Sequence, residues 1–249
     1  MKNRQNFSIY PLPIMGVLLV LASSCEKDDD NEPSSGNSTN GKTTSVFNPD
    51  VTYGTMTDQD GNVYKTVTIG TQTWMAENLR TTKYNDGTAI PNVTDDDEWG
   101  ALTTGSYCNY NNMTGTDSIA TYGRLYNWYA VNTGKLAPTG WHVPSDAEWT
   151  VLTDYLGGTS IAGGKLKEIG TTHWQSPNTG ATNVAGFTAL PGGYRSSSGT
   201  FSYVGGLGYW WSATEYSTTH AYYRSILYSD VGREDGVKEV GFSVRCVRD

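Results

Sequence analysis

The sequence predicts a strand-rich domain built around one clear helix. Gly, Tyr and Trp occur 29, 17 and 8 times, which is typical of short strands, tight turns and an aromatic core. Apolar residues recur at helical spacing in few places, which excludes an all-α fold. A complete helix start is present at residues 141–149, where the sequence is WHVPSDAEW.

This helix start has the spacing of a capping box. Ser145 and Glu148 are three residues apart, so the serine hydroxyl and the glutamate carboxylate can each accept a hydrogen bond from the other residue's backbone N–H. Apolar residues then recur on one face, at Trp149, Leu152 and Leu156. The pattern predicts a helix over Asp146–Leu156 that ends at the glycines 157 and 158. Ser145, Glu148 and Trp149 are therefore expected to have structural roles.

Alternation of apolar and polar residues predicts strands before and after this helix. A hairpin is expected over Val51–Ile69, with its turn at Asp60-Gly61. Further strands are expected at Ser106–Asn112, Gly192–Arg195, Tyr209–Thr214, Ala221–Tyr228 and Val240–Val247. The stretch Tyr122–Val131 fits a short helix or a strand. Residues 157–164 are expected to form a glycine-rich loop and residues 165–169 a short helical turn.

Two acidic stretches leave a cation site open as an alternative. Asp58 and Asp60 resemble the start of a calcium loop, although the later ligands fall at the wrong spacing. Asp95–Glu98 is a run of four acidic residues that could also hold a hard cation. A turn and a solvated loop are the favoured interpretations, so we expect no cofactor and keep calcium as the alternative.

The first 24 residues have the pattern of a secretory signal. Lys2 and Arg4 precede the apolar run Ile14–Ala22, which has about nine residues where a membrane span needs about 20. The sequence Ala22-Ser23-Ser24-Cys25 resembles a bacterial lipobox. It predicts a lipoprotein signal peptide over residues 1–24 and lipidation of Cys25. The alternative is an ordinary cleaved signal that leaves a free cysteine.

Residues 25–50 are expected to form an acidic, polar and flexible tether. Their composition buries too little apolar surface to offset the entropy of ordering. The acids directly after Cys25 resemble the export signal of Bacteroidetes surface lipoproteins, which implies a lipid anchor in the outer membrane and exposure at the cell surface. The alternative is a solvated tether without an export role.

Net charge excludes one class of partner. The chain carries a formal charge of −8, and loss of Lys2 and Arg4 with the signal leaves it more acidic still. Such a chain cannot neutralise phosphates, so we expect no nucleic acid partner. Membrane contact is expected through the lipid anchor only.

Cys108 and Cys246 are the cysteines that remain after Cys25. An exported protein with one remaining pair most simply forms a disulfide, which would close a long loop and stabilise the fold by about 4–5 kcal/mol. Two separate buried thiols are the alternative. The sequence has no CxxC motif and no His/Cys cluster, so no structural zinc site is expected.

Six ordered segments resemble the Fibrobacter succinogenes major paralogous domain family. They are DGNVYKTVTIGTQTWMAENLR, YGRLYNWYAV, APTGWHVPSDAEW, GGYR, YWWSAT and GFSVRCVRD. The resemblance covers about residues 52–249 and places one domain at 51–249. The family is similar in turn to the C-type-lectin-like fold shared with formylglycine-generating-enzyme-like domains. This implies an α+β domain with a twisted, mostly antiparallel sheet, one or two helices, long loops, and chain ends that pair in the sheet.

Catalysis is not expected from the residues present. Formylglycine-generating enzymes hold copper with a cysteine pair, whereas Cys108 and Cys246 are far apart in the sequence. Hydroxylases of the same fold use His and carboxylate ligands, and His142, His173 and His220 are isolated. No GxSxG motif is present. A carboxylate pair for glycoside cleavage stays open as an alternative.

The calcium-binding tripeptides of sugar-binding C-type lectins are also missing. The nearest to EPN is Ser176-Pro177-Asn178, and Trp211 is followed by Ser212-Ala213 where those lectins have Asn-Asp. A bound glycan would therefore be held by other residues.

Residues 210–240 have the composition of a binding surface, since Tyr, Arg and small polar residues give contact area at low rotamer entropy. The stretch resembles the variable region of retroelement-diversified C-type-lectin-like proteins. That resemblance implies a frame of Trp210 and Trp211 that carries candidate contacts at Glu215, Tyr216, Thr218, His220, Tyr223, Tyr228, Asp230, Arg233 and Asp235. We expect a monomeric, tethered binder of an unknown protein or glycan. An ordinary sheet with no ligand and a structural subunit of a surface assembly are the alternatives.

Overall fold

The computed structural model describes residues 41–249. The predicted signal peptide, the lipidated Cys25 and most of the predicted tether lie outside the described residues. Among residues 41–249, none of the helices has the length and apolar character that a membrane crossing requires.

The described residues form a mixed helix and sheet domain, which confirms the α+β class. The strands are β1 (Gly54–Thr57), β2 (Val63–Ile69), β3 (Gln72–Met75), β4 (Tyr107–Cys108), β5 (Leu125–Tyr126), β6 (Trp141–His142), β7 (Gly192–Arg195), β8 (Phe201–Val204), β9 (Gly208–Glu215), β10 (His220–Leu227), β11 (Asp230–Val237) and β12 (Val247–Arg248). The α-helices are α1 (Asp96–Gly100), α2 (Thr116–Tyr122), α3 (Trp128–Asn132), α4 (Asp146–Tyr155) and α5 (Thr159–Leu166). The expectation of one or two helices was wrong, because short helices also form between the strands.

The strands pair antiparallel in two main sheets. A five-stranded sheet has the order β1-β2-β3-β12-β6, and a three-stranded sheet has the order β11-β10-β9. The pairs β4-β5 and β7-β8 are separate. The last strand lies between β3 and β6, so the C-terminal end of the chain pairs within the first sheet, as the resemblance implies.

Helix α4 begins with the predicted capping box. Ser145 Oγ accepts a hydrogen bond from the Glu148 N–H at 3.3 Å, and Glu148 Oε2 accepts one from the Ser145 N–H at 2.8 Å. Trp149 is fully buried, and its ring centroid lies 4.8 Å from that of Trp74. The helix ends at Tyr155, one residue before the predicted end.

Helix α5 occupies residues that the sequence predicts as a glycine-rich loop. Gly163 and Gly164 lie inside this helix. Other backbone segments pack against both positions too closely to leave room for a side chain. A Cβ on Gly163 would lie 2.6 Å from the Asp230 carbonyl oxygen, and one on Gly164 would lie 2.3 Å from that of Gly180. The glycines therefore permit close packing of the helix rather than a loop. The predicted helical turn at 165–169 is only the end of this helix and the residues after it.

The predicted N-terminal hairpin is confirmed as β1 and β2. At its turn, Asp58 Oδ1 accepts hydrogen bonds from the N–H groups of Asp60 and Asn62. In the second acidic stretch, the Asp95 side chain caps helix α1, so the predicted solvated loop at 95–98 is a short helix. Among residues 41–249 no group of three His, Cys, Asp or Glu side chains is placed to hold a metal ion.

Three segments differ from, or extend, the secondary structure predicted from the sequence. Residues 122–131 contain both a strand, β5, and a helix, α3. Strand β11 was not predicted, because its sequence DVGREDGV lacks apolar alternation. The strand predicted over Val240–Val247 was largely wrong, since Gly241, Phe242 and Ser243 each form single bridges to different partners and regular pairing begins at residue 247.

The predicted disulfide is absent from the structure. Cys108 and Cys246 are buried free thiols in different core clusters, Cys108 beside Trp99 and Leu125, and Cys246 with Val244 in another cluster. Burial raises the pKa of Cys108 to about 12 and also raises the pKa of Cys246. The structure therefore has the alternative arrangement of two separate thiols.

Contacts with the domain begin ahead of residue 51, the predicted boundary. The Val46 N–H donates to Glu168 Oε1 at 2.6 Å, and Thr44 Oγ1 lies 2.9 Å from His173 Nε2. Glu168 is fully buried, and its second oxygen lies 2.7 Å from His173 Nδ1. The C-terminal part of the predicted tether is therefore attached to the domain through Glu168 and His173.

Candidate functional site

The three-stranded sheet packs one face on the helices, and its other face, here called the open face, is only partly covered. Trp210 and Ile226 are buried against helices α4 and α5. Because side chains alternate along a strand, Tyr209, Tyr223 and Ser225 are on the opposite face. These three residues line a cavity. The helix face is thus part of the core. The open face is also core around Trp211, whose ring centroid lies 4.6 Å from that of Phe242, and it forms a cavity only beside Tyr209, Tyr223 and Ser225.

Two adjoining cavities form a groove that runs from the open face to the β10–β11 turn. The sheet cavity, of about 350 Å³, is lined by Leu207, Tyr209, Tyr223, Ser225, Leu227, Tyr228, Asp230, Gly232 and Glu234. The loop cavity, of about 370 Å³, is lined by Lys167, Trp174–Thr179, Tyr203, Gly205–Leu207, Leu227 and Tyr228. Leu207, Leu227 and Tyr228 belong to both, so we treat the two cavities as one groove. Each is within the size range of small-molecule sites.

Aromatic rings hold one another in place under the sheet cavity. Tyr209 stacks on Phe242 with centroids 5.1 Å apart and planes inclined by 10°. Tyr223 lies 4.6 Å from the same Phe242 ring. At the loop cavity, Tyr203 stacks on Tyr194 at 5.9 Å. Rings fixed in this way lose little further entropy when a ligand covers them.

Tyr203 and Tyr228 have unusual backbone conformations. Their φ angles are +64° and +52°, and their side chains are 56% and 60% exposed. Tyr228 and Ser229 form the two-residue turn between the paired Leu227 and Asp230, where a positive φ favours glycine. A tyrosine in this region costs roughly 1–2 kcal/mol. Strain of this kind is frequent at functional sites, and both rings are exposed beside the groove.

Acidic and basic groups line opposite ends of the groove. Asp230 and Glu234 are exposed in the sheet cavity, whereas Lys167 lines the loop cavity. Burial, followed by a hydrogen bond to Glu234, raises the pKa of Tyr223. The Tyr223 hydroxyl therefore stays protonated beside Glu234.

The structure brings together only part of the predicted contact set. Tyr223, Tyr228 and Asp230 line the groove. Arg233 and Asp235 alternate onto the other face of β11, where Arg233 Nη2 donates to Asp146 Oδ2 at 2.9 Å. The other four predicted residues, Glu215, Tyr216, Thr218 and His220, lie at the β9–β10 turn, away from the groove.

At the β9–β10 turn, a buried lysine holds two of these four residues. Lys238 Nζ donates to the Glu215 carboxylate and, at 2.8 Å, to the Thr218 carbonyl oxygen. Tyr216 is exposed, and its ring centroid lies 5.2 Å from that of Tyr222. His220 Nδ1 lies 2.9 Å from the Thr219 hydroxyl. These contacts fix the turn rather than form a cavity.

Several groove residues were not predicted from the sequence. Alternation in YWWSAT places Tyr209 on the face opposite Trp210, so a strand signal was available for Tyr209. No local signal marks Lys167, Trp174 or Tyr203, because they meet at the groove only through the fold.

A family model for the Fibrobacter succinogenes major domain matches residues 67–248. The chain belongs to this family. No curated protein and no solved structure matches the chain. Membership in the Fibrobacter succinogenes major domain family supports a surface-type domain, and the matched residues include the whole groove.

One histidine of this Fibrobacter succinogenes major domain connects Asp249 to the capping box. His142 Nε2 lies 2.7 Å from Glu148 Oε1, and His142 Nδ1 lies 2.6 Å from Asp249 Oδ1. Partial burial opposes protonation, but the hydrogen bonds to Asp249 and Glu148 raise the pKa of His142 above its ordinary value. The protonated ring therefore bridges two carboxylates.

Replacing this histidine is expected to remove a small, pH-dependent part of the stability. Because the folded pKa is raised, the contribution of His142 is fully present below the unfolded pKa of about 6.5 and is lost as pH rises through the folded value. The side chain is 40% exposed, so His142→Gln should cost about 0.5 kcal/mol. Urea unfolding at about pH 5.5 and about pH 9 measures this, with His220→Gln as the control. An equal loss at both pH values would contradict the assignment.

Proposed function

We propose that the protein is a cell-surface lipoprotein, anchored through Cys25, whose domain binds a glycan in the groove. The observation that carries this proposal is the pair of strained, exposed tyrosines, Tyr203 and Tyr228, beside a ready-made concavity. Strained residues persist where the surrounding structure holds them and where they serve a function. Tyr203 and Tyr228 are 56% and 60% exposed, so core packing offsets little of the strain.

The groove's chemistry favours a glycan. Flat tyrosine rings fit the apolar faces of sugar rings, and the carboxylates of Asp230 and Glu234 can accept hydrogen bonds from hydroxyl groups. A folded protein partner would need a contact of about 800 Å² on each side, whereas the groove is a small concavity.

Binding, rather than catalysis, is the proposed activity. The raised pKa values of Cys108 and Cys246 keep both thiols protonated, and the thiolate is the form that binds metal and attacks substrates. Their separate positions in the core also argue against a cooperating pair. The groove presents hydrogen-bonding and stacking groups, which suit recognition.

The proposal also includes a C-type-lectin-like fold and, as an extension, diversification by a retroelement. Of the candidate contacts, Tyr223, Tyr228 and Asp230 line the groove, so variation would act on ligand choice at these positions. The neighbouring DNA is the test of the extension. A reverse-transcriptase gene and a near-copy of the 3′ segment that differs at adenines would support it, and their absence would remove it.

Tyr228→Ala is expected to weaken glycan capture by roughly 30-fold, which corresponds to about 2 kcal/mol for a stacked ring. The full chain, purified in detergent, would be applied to an array of oligosaccharides and of folded proteins. Tyr155→Ala is the matched control, because Tyr155 is an exposed tyrosine on helix α4 and does not line the groove. Capture of proteins alone, or glycan capture that Tyr228→Ala leaves unchanged, would contradict the proposal.

A further inference from the structure

Lys167 is a buried cation at the loop cavity. It directly follows helix α5, and its side chain is only 1% exposed. Its Nζ lies 4.9 Å from the centroid of the Trp174 ring. Among residues 41–249, Nζ makes a single hydrogen bond, to the Thr179 carbonyl oxygen at 3.0 Å. The ammonium group has three donors, so its hydrogen-bonding capacity is mostly unused.

No carboxylate in the described part of the chain compensates this charge. Burial lowers the pKa of Lys167 to about 8, and no acidic group opposes the shift. Lysine is rarely this buried unless it is paired. The contrast with Lys238 is direct, because that buried lysine donates both to the Glu215 carboxylate and to a backbone carbonyl.

Asn178, in the same cavity, leaves an acceptor without a partner. Its Nδ2 donates to the carbonyl oxygens of Glu168 and Gly170, at 2.9 and 2.6 Å, which fixes the orientation of the amide. Its Oδ1 is buried and, within residues 41–249, has no hydrogen-bond partner. Such an atom is costly unless a donor meets it. The loop cavity therefore combines an unpaired cation with an unused acceptor.

The other end of the groove has the opposite charge. Asp230 and Glu234 line the sheet cavity, and a carboxylate placed beside them would be repelled. Hydroxyl groups, in contrast, can donate to both side chains. The groove therefore distinguishes an anionic end of a ligand from a neutral, hydroxyl-rich end.

We propose, building on the glycan-binding function above, that the groove binds an oligosaccharide with a carboxylated sugar in the loop cavity and a neutral sugar in the sheet cavity. The ligand carboxylate pairs with Lys167, and a sugar hydroxyl donates to Asn178 Oδ1. Tyr228 lies between the two sugars, since it lines both cavities. Hydroxyl groups of the neutral sugar donate to Asp230 and Glu234.

The test compares oligosaccharides that contain glucuronic or galacturonic acid with their carboxyl-reduced forms. The full chain in detergent is expected to bind the acidic form at least about tenfold more tightly than the reduced form. Lys167→Met should remove this preference and leave the affinity for the reduced form within about twofold, because the hydroxyl and stacking contacts stay. Retained binding of the reduced form also shows that the variant is folded.

A second variant keeps the test independent of the fold around Lys167. Gln175 is exposed and lines the same cavity, so Gln175→Glu should weaken binding of the acidic form by like-charge repulsion and spare the reduced form. Equal or tighter binding of the reduced forms by the unmodified chain would overturn this inference and leave glycan binding intact. Capture of sulfated neutral oligosaccharides alone would overturn the carboxylate assignment. Capture of no oligosaccharide would overturn both proposals.

Discussion

Arg245→Met is expected to lower the free energy of unfolding by about 4 kcal/mol, because it leaves buried carbonyl groups without donors. Arg245 is fully buried, and its guanidinium donates to Asn78 Oδ1 and to the carbonyl oxygens of Phe187 and Thr188. Thr188 has a φ of +54°, an unfavourable value for a β-branched residue. The arginine therefore stabilises a strained segment of backbone as well as filling core volume.

Arg248→Met is the matched control for this substitution. Arg248 belongs to the last strand, is exposed, and lies 5.1 Å from the Trp141 ring centroid. Its replacement should change the free energy of unfolding by less than about 0.5 kcal/mol. Chemical denaturation of both variants measures the difference. Similar losses for the two variants would contradict the role assigned to Arg245.

Asp146→Ala is expected to cost about 3 kcal/mol, because it removes the carboxylate from a buried arginine. Asp146 Oδ1 accepts from Arg224 Nη1 at 2.7 Å, and Asp146 Oδ2 accepts from Arg233 Nη2 at 2.9 Å. Arg224 is buried in β10, whereas the Arg233 side chain is 48% exposed. Asp146 therefore attaches the start of helix α4 to the sheet whose other face forms the groove.

The pH dependence of this loss follows from the pKa of the carboxylate. Burial would raise the pKa of Asp146, but the hydrogen bonds from Arg233 and Arg224 lower it below its ordinary value. The contribution is thus present above the unfolded pKa of about 3.9 and is lost as pH falls through the folded value. Arg233→Ala, the control, should cost about 0.5–1 kcal/mol. If Arg233→Ala lowers the free energy of unfolding as much as Asp146→Ala does, the importance given to Arg224 is contradicted.

Local signals in the sequence predict the elements that local interactions stabilise. The capping box of Ser145 and Glu148 needs only residues within one helical turn, so its spacing was sufficient to place helix α4. The hairpin at Asp60-Gly61 depends on turn chemistry of the same short range. Trp149 and Trp210, for which structural roles were predicted, are both fully buried.

The features that were missed depend on distant parts of the chain. In helix α5, the Asp230 backbone lies so close to Gly163 that a side chain there would collide with it. No pattern near residue 163 indicates this contact. In strand β11, Arg233 and Asp235 occupy positions on the helix side where apolar residues would be expected. Arg233 pairs there with Asp146, so the strand lacks apolar alternation. The groove joins Lys167, Tyr203 and Tyr228 across the fold, and only the packed structure places them together.

We infer that the two faces of the C-terminal sheet have separate roles. On the helix face, Arg224 and Arg233 pair with Asp146 and contribute to stability. Arg233 had been predicted as a ligand contact. The open face carries Tyr223 and Tyr228 beside the groove. Substitutions on the helix face should lower stability, whereas substitutions at the exposed rings of the groove should lower ligand affinity.

Protection of individual tyrosines by a bound oligosaccharide tests the groove most directly. Hydroxyl-radical footprinting of the full chain, with and without an oligosaccharide captured on the array, reports the exposure of each ring by mass spectrometry. Tyr203 and Tyr228 should become protected, whereas the exposed Tyr155 and Tyr216 should react as before. Protection of Tyr155 or Tyr216 with Tyr203 and Tyr228 unchanged would contradict the assignment of the groove as the binding site.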